Sequence, residues 1–239
     1  MSDAIIKHLH QVNAYRDLVE RMGLSGAIAQ LQEWQCQRLL ASHHDLASQP
    51  HYQQAMAFFV DELYGPKDFS QRDADLARVI PKLAKVLPDK ALRALDDALA
   101  LNALSYDLDM KVCQSLAAAQ PGENQPVINR ETYACAYREV GERDKREQQI
   151  ALIEHLGGEL ADVINIRGIG MLIKFARRPA KLAGLLTLHE FLERGYNAFH
   201  AIGDVHSFID PVMRRERVLM EALLDPRRDI TKDNPLPHV

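Results

Sequence analysis

Four side chains able to ligate a metal or move a proton recur along LHEFLERGYNAFH: His189, Glu193, Tyr196 and His200. At a 3.6-residue period they fall within about 60° of arc, forming one polar stripe on a helix. The stripe borders an apolar side made by Leu185, Leu188, Leu192 and Phe199. A carboxylate and imidazoles at such a border could bind a metal or exchange protons, and His206 from the following turn is a further ligand candidate. The catalytic candidates are therefore His189, Glu193, Tyr196 and His200, and the metal candidates His189, Glu193, His200 and His206. A structural reading competes with this one. Four residues spread over three turns cannot all reach one ion, and metal sites in helical bundles draw ligands from several helices. No Glu in the chain is followed three residues later by His, which disfavours a ferritin-like di-metal site.

A second candidate lies in AMAFFVDELYGPKDFSQRDADL. Met56, Phe59, Val60 and Leu63 mark one helix face, and Asp61, Glu62 and Tyr64 stand at its end, where they are candidates for lining a ligand site. Tyr64-Gly65-Pro66 is a helix stop, and Ser70 or Asp68 is placed to cap the next helix. A strong helix-turn-helix corner needs the same residues. His44-Asp45 is the dipeptide of the helical HD phosphohydrolases, but the apolar run before it and the Gly-Lys after it are missing. Gly168-Ile169-Gly170 has Ile173 where a dinucleotide loop needs its third glycine, and no βαβ pattern surrounds it. Neither a G-x-S-x-G elbow nor a P-loop occurs.

The elements that would position these side chains are helices. Threonine occurs only at positions 132, 187 and 231, while Ala, Leu, Gln, Glu, Asp and Arg dominate, a balance that favours helix over sheet. We expect an all-α bundle of roughly 8–10 helices. Leu76, Val79, Ile80, Leu83 and Leu87 stay in phase across Pro81, which predicts a helix kinked there. A long helical pattern runs from Leu92 to about Ala118, after a start near Pro88. Residues 120–129, QPGENQPVIN, read as a loop and a hinge candidate. The charged run Gly141 to Gln149 reads as a solvated face, Gly157-Gly158 as a helix stop, and Val163 to Ile173 as the one arguable strand. Pro179 is expected to open a helix ending near Ile202, and Asp204 or Asp210 to cap the last one. Residues 1–225 form a single helical domain on this reading, with 226–239 an extended or disordered tail.

Composition limits the partners. The net charge of −4 gives no general reason to expect nucleic acid or an anionic membrane. Residues 167–228 nevertheless carry eleven Lys/Arg against seven Asp/Glu, whereas residues 1–166 carry seventeen against twenty-four. The basic part faces an acidic partner, a second subunit or the acidic part of its own chain. Lys174, Arg177, Arg178, Lys181, Arg214, Arg215 and Arg217 have few aromatics interleaved with them and no clear DNA-reading helix pair, so they do not read as a nucleic-acid surface. Cys36, Cys113 and Cys135 are odd in number and far apart, and read as small buried hydrophobes in a reduced compartment. With no signal peptide and no apolar run long enough to span a bilayer, a cytoplasmic location is expected.

Phe58 to Leu92, FFVDELYGPKDFSQRDADLARVIPKLAKVLPDKAL, resembles the signature of a family of uncharacterised bacterial all-helical proteins, and AMAFF and FARRPAKLAGL also fit it. His43 and Asp45 match its pattern, whereas His44 does not. The resemblance implies the fold and no activity. The expected function is a non-catalytic helical protein that binds a protein partner or a small apolar ligand between its helices, as a homodimer and without a cofactor. The alternative is a metal-dependent enzyme using the His189 stripe.

Overall fold

The computed structural model describes residues 2–64, 70–83, 89–123 and 125–239. Among them are eleven α-helices and no strand. In order they are α1 (Ser2–Arg21), α2 (Ser25–Ser42), α3 (His44–Ala47), α4 (Gln53–Phe58), α5 (Ser70–Leu83), α6 (Asp89–Ala119), α7 (Arg130–Val140), α8 (Arg143–Ile164), α9 (Ile169–Leu182), α10 (Leu186–Ile202) and α11 (His206–Leu224). Phe59–Tyr64 continues α4 as a π-helix, a wide winding that periodicity does not announce. No described helix is long and apolar enough to cross a membrane.

The strut is α6, whose 31 residues extend about 46 Å at 1.5 Å per residue. One end carries Leu92 and Leu99 into a small core with Ile5, Leu9, Leu76, Ile80 and Leu188. The other carries Val112, Cys113 and Leu116 into the main core, where Trp34, Phe59, Tyr133, Phe199 and Phe208 also pack. Against α6 lie α1, α2, α7 and α8, while α11 covers α8 and α7, and α10 lies between α4 and α9.

Several expected boundaries differ. Residues Gly157 and Gly158 do not stop a helix: α8 runs through them. A Cβ on Gly157 would stand 3.1 Å from Ile209, so glycine here serves the close packing of α8 on α11. Pro179 lies inside α9, and Gly184, at φ +70°, makes the break before α10. The arguable strand is the end of α8, a turn and the start of α9. Asp204 does support the start of α11, accepting the His206 N–H at 3.1 Å, whereas Asp210 lies within that helix.

Helix α5 continues past Pro81 to Leu83, and the Leu87 and Pro88 readings lie outside the described residues, as do Gly65, Pro66 and Asp68. The side chain of Gln120 bridges the 120–129 loop by bonding both Val127 N–H and Val127 C=O, and Asn129 forms a capping box for α7.

The segment after α11, expected as an extended or disordered tail, passes through turns between residues 226 and 233. It folds back through turns, burying Ile230 and Leu236. Arg130 and Asn234 exchange side chain-to-carbonyl hydrogen bonds at 2.9 Å, and Arg138 reaches the carbonyls of Leu223 and Arg228. Cys36 and Cys113 are buried as expected, but Cys135 is exposed.

Candidate functional site

The polar stripe of α10 lies along its seam with α9, and each member is engaged locally. His189 is buried, with Nε2 donating to the Ile173 carbonyl at 2.7 Å, and Glu193 Oε2 lies 4.0 Å from its Nδ1. That Glu193 oxygen is held by Arg177 of α9 at 2.5 Å. Tyr196 lies so close to α9 that a Cβ on Gly170 would stand 2.6 Å from its hydroxyl. The exposed His200 stacks on Tyr196, ring centroids 5.2 Å apart. His206 is exposed on α11 and pairs with Asp210 at 3.4 Å. Among the described residues, no group of three or more His, Cys, Asp or Glu side chains is arranged to hold a metal ion.

The Asp61–Tyr64 corner does touch α10, but on its other side. Buried Glu62 is 2.8 Å from Arg194, and Phe58 packs on Gly195, where a Cβ would stand 2.9 Å from the ring. Arg194 and Gly195 lie about 100° or more from the centre of the His189 stripe, so the two candidate sets do not converge. Asp61 is exposed, and the Tyr64 side chain lies outside the described residues. Of the His44-Asp45 dipeptide, His44 is exposed beside Ser48, while exposed Asp45 is gripped by Arg215 at 2.6 and 2.7 Å.

Convergence occurs elsewhere, between α2, α6, α7, α8 and α11. A cavity of about 100 Å³ there is lined by Gln32, Gln35 and Arg38 of α2, Asn102, Ser105 and Asp109 of α6, Tyr137 of α7, Arg146 and Gln149 of α8, and Glu216 of α11. Apolar surface from Ile150, Ile153, Leu219 and Met220 completes the wall, and Leu236 of the folded-back tail contributes to it. One water needs roughly 10–15 Å³ of such space, so the cavity admits several waters or a small molecule.

The groups on its wall are unequal. Arg38 Nη1 lies 2.6 Å from both oxygens of Glu216, and His43, fully buried where α2 gives way to α3, bonds the same carboxylate through Nε2 at 2.9 Å. An ionised carboxylate only accepts, so Nε2 is the protonated nitrogen of His43. Burial pushes the Glu216 carboxyl up, but the Arg38 charge and the His43 and Arg38 hydrogen bonds outweigh it and bring the group down to about 2.

Asp109 has a weaker set of partners. Its Oδ1 accepts from Gln35 Nε2 at 3.0 Å. Burial pushes it up to about 6, against the Gln35 hydrogen bond, the Arg146 charge and Gln32. Arg146 is itself only 5 % exposed. Its guanidinium lies over the Tyr137 ring at 4.4 Å, and Nη1 is 3.4 Å from Gln149 Oε1, whose amide donates to Ser105 at 2.8 Å. Nε and Nη2 of Arg146 are buried without a hydrogen-bond partner.

Arg146 and Glu216 were not singled out by sequence, and His43 only as a match to the family pattern, yet a signal was present. Each charged or amide group occupies the apolar phase of its helix: Asp109 with Cys113 and Leu116, Arg146 with Ile150 and Ile153, Glu216 with Val212, Met213, Met220 and Leu223. Arg146 also corrects the reading of residues 141–149 as a wholly solvated face. The turn before it is held in an unusual conformation, with Glu142 at φ 52°, bonded by Lys111 and followed by the first turn of α8.

No curated protein and no solved structure matches the chain. Residues 14–229 match the family described as Domain of unknown function (DUF8198), and the chain belongs to that family. The matched span holds every cavity-lining side chain named above except Leu236.

Proposed function

We propose that the chain is a non-catalytic binding protein that takes a small polar ligand into the cavity between α2, α6, α7, α8 and α11. The observation that carries this is Arg146, buried on the cavity wall with two N–H-bearing nitrogens unpartnered. Stranding a charged donor in the interior is destabilising unless something binds it. Ile150, Ile153, Leu219 and Met220 supply apolar wall, but the polar groups would set the orientation, so an entirely apolar ligand fits less well than a polar one. Binding raises the melting temperature by mass action. Thermal-shift screening with small polar solutes should therefore stabilise the protein, and Ser105→Phe, which fills the cavity, should remove that response. Solutes that act equally on wild type and Ser105→Phe would refute the site. The buried thiols of Cys36 and Cys113, both raised by burial, accord with a reducing cytoplasmic setting.

A second reading, a homodimer, has its own observation. Helix α9 buries only Ile169, while Phe175 is 74 % and Leu182 91 % exposed, with Met171 and Leu172 beside them. Lys174, Arg178 and Lys181 border this stripe by helical position. A second copy offers the opposite charge, since residues 1–166 carry the acidic balance. Sedimentation should show a dimer that Phe175→Glu with Leu182→Glu converts to a folded monomer; a wild-type monomer at all concentrations rejects this interface.

A further inference from the structure

Arg146 lines the cavity and has two guanidinium nitrogens without a hydrogen-bond partner, Nε and Nη2, which together form the edge that recognises carboxylates. Nη1 is occupied by Gln149, and the guanidinium carbon lies over the Tyr137 ring, 4.4 Å from its centroid. The two nitrogens left over, Nε and Nη2, are neighbours whose hydrogens point the same way. Such a pair makes two parallel hydrogen bonds to the oxygens of one carboxylate. We infer that the ligand of this cavity is a small monocarboxylate held side-on by Arg146, a conclusion that rests on the cavity being a ligand site.

The charge inventory selects the class. The Arg38 charge is matched by Glu216 at 2.6 Å, which leaves the guanidinium of Arg146 as the cation available to a ligand. Asp109 and Glu216 face any anion on this wall, and a phosphate dianion, with twice the charge against a single guanidinium, is repelled more than a carboxylate monoanion. Asp109, pushed up to about 6, takes a proton easily and then donates rather than repels. The cavity of about 100 Å³ suits a short chain, for which Ile150, Ile153 and Met220 provide apolar contact.

The test uses the full chain, titrated with sodium acetate, sodium propionate, acetamide and sodium phosphate at constant ionic strength, and followed by calorimetry and melting temperature. Acetate and propionate should bind and stabilise in the millimolar range, with acetamide and phosphate at least about tenfold weaker, the difference a charged bidentate pair supplies. Arg146→Lys keeps the charge but not the fork and should lose the same tenfold. Acetamide or phosphate binding as well as acetate, or acetate binding undiminished in Arg146→Lys, overturns the carboxylate assignment while leaving the cavity as a ligand site. Absence of a response to all four solutes overturns both. The comparison of solutes on the wild type stands even where the variant does not fold.

Discussion

Around the cavity, charged side chains from α2, α6, α8 and α11 are drawn into the interior; along the α9–α10 seam, charged side chains run down one helix and are held near its surface. Glu216 shows the first case, mostly enclosed and shared by Arg38 and His43. Glu193 shows the second, paired with an Arg177 that is about half exposed. The chemistry is the same, carboxylate with guanidinium and a nearby imidazole, and the difference is the surroundings. In the interior, water cannot replace a lost partner, so each group depends on the others. At the seam water can replace it, and the pair contributes little.

The largest expected effect tests the inner half of this contrast. Glu216→Gln keeps the shape but withdraws the anion from Arg38 and His43, and should destabilise the fold by about 3–5 kcal/mol in chemical denaturation, the range for breaking a buried pair. Because the folded group lies near 2, below its ordinary value of 4.5, its stabilisation is present above about pH 4.5 and is lost as the pH falls through 2. The variant should lack that acid limb. A loss under about 1 kcal/mol would place Glu216 with the surface pairs and remove the contrast.

Asp109 gives the next largest effect, with the opposite sign. Its folded value, about 6, lies above the ordinary 3.8. The protonated form therefore favours the fold, and stability falls as the pH rises from about 4 through 6. The groups that act with Asp109 are Arg146 of α8, Gln32 and Gln35 of α2, and on α6 itself Tyr106 and Cys113, both raised by burial. Asp109→Asn should be stabilising at pH 8 by about 2–3 kcal/mol, from a shift of about two pH units at 1.36 kcal/mol each, and should flatten that limb. Unchanged pH dependence would show that Asp109 is not the group responsible.

These two residues also show how far the sequence could be read. The all-α class followed from composition and the run of α6 from periodicity, because a helix face is a local property of one segment. The His189 stripe was equally legible as a stripe, and for the same reason misleading as a centre: alignment on one helix says nothing of which helix lies opposite. Asp109, Arg146 and Glu216 lie 37 and 70 residues apart in the chain, and only the packing of α6, α8 and α11 brings them to one cavity. Their sole local trace is a charge in an apolar phase, which a mixed-sign run such as Gly141 to Gln149 obscures. Gly157 and Pro179 were misread on the same principle, since a glycine that admits Ile209 looks in sequence like one that ends a helix.

The smallest effect closes the comparison at the seam. Glu193→Gln removes the contact with Arg177, an exposed pair of the kind that contributes about 0.5 kcal/mol. His189→Gln keeps an amide N–H able to donate to the Ile173 carbonyl, at a loss on the order of 1 kcal/mol for the altered hydrogen bond. The double variant should therefore remain folded, melt only a few degrees lower, and match the wild type in metal content and in its response to chelator. A wild type that carries a stoichiometric metal, lost in the folded double variant, would make the seam a metal site and reverse the ranking, because the group with the most solvent around it would then be the one whose partner matters most.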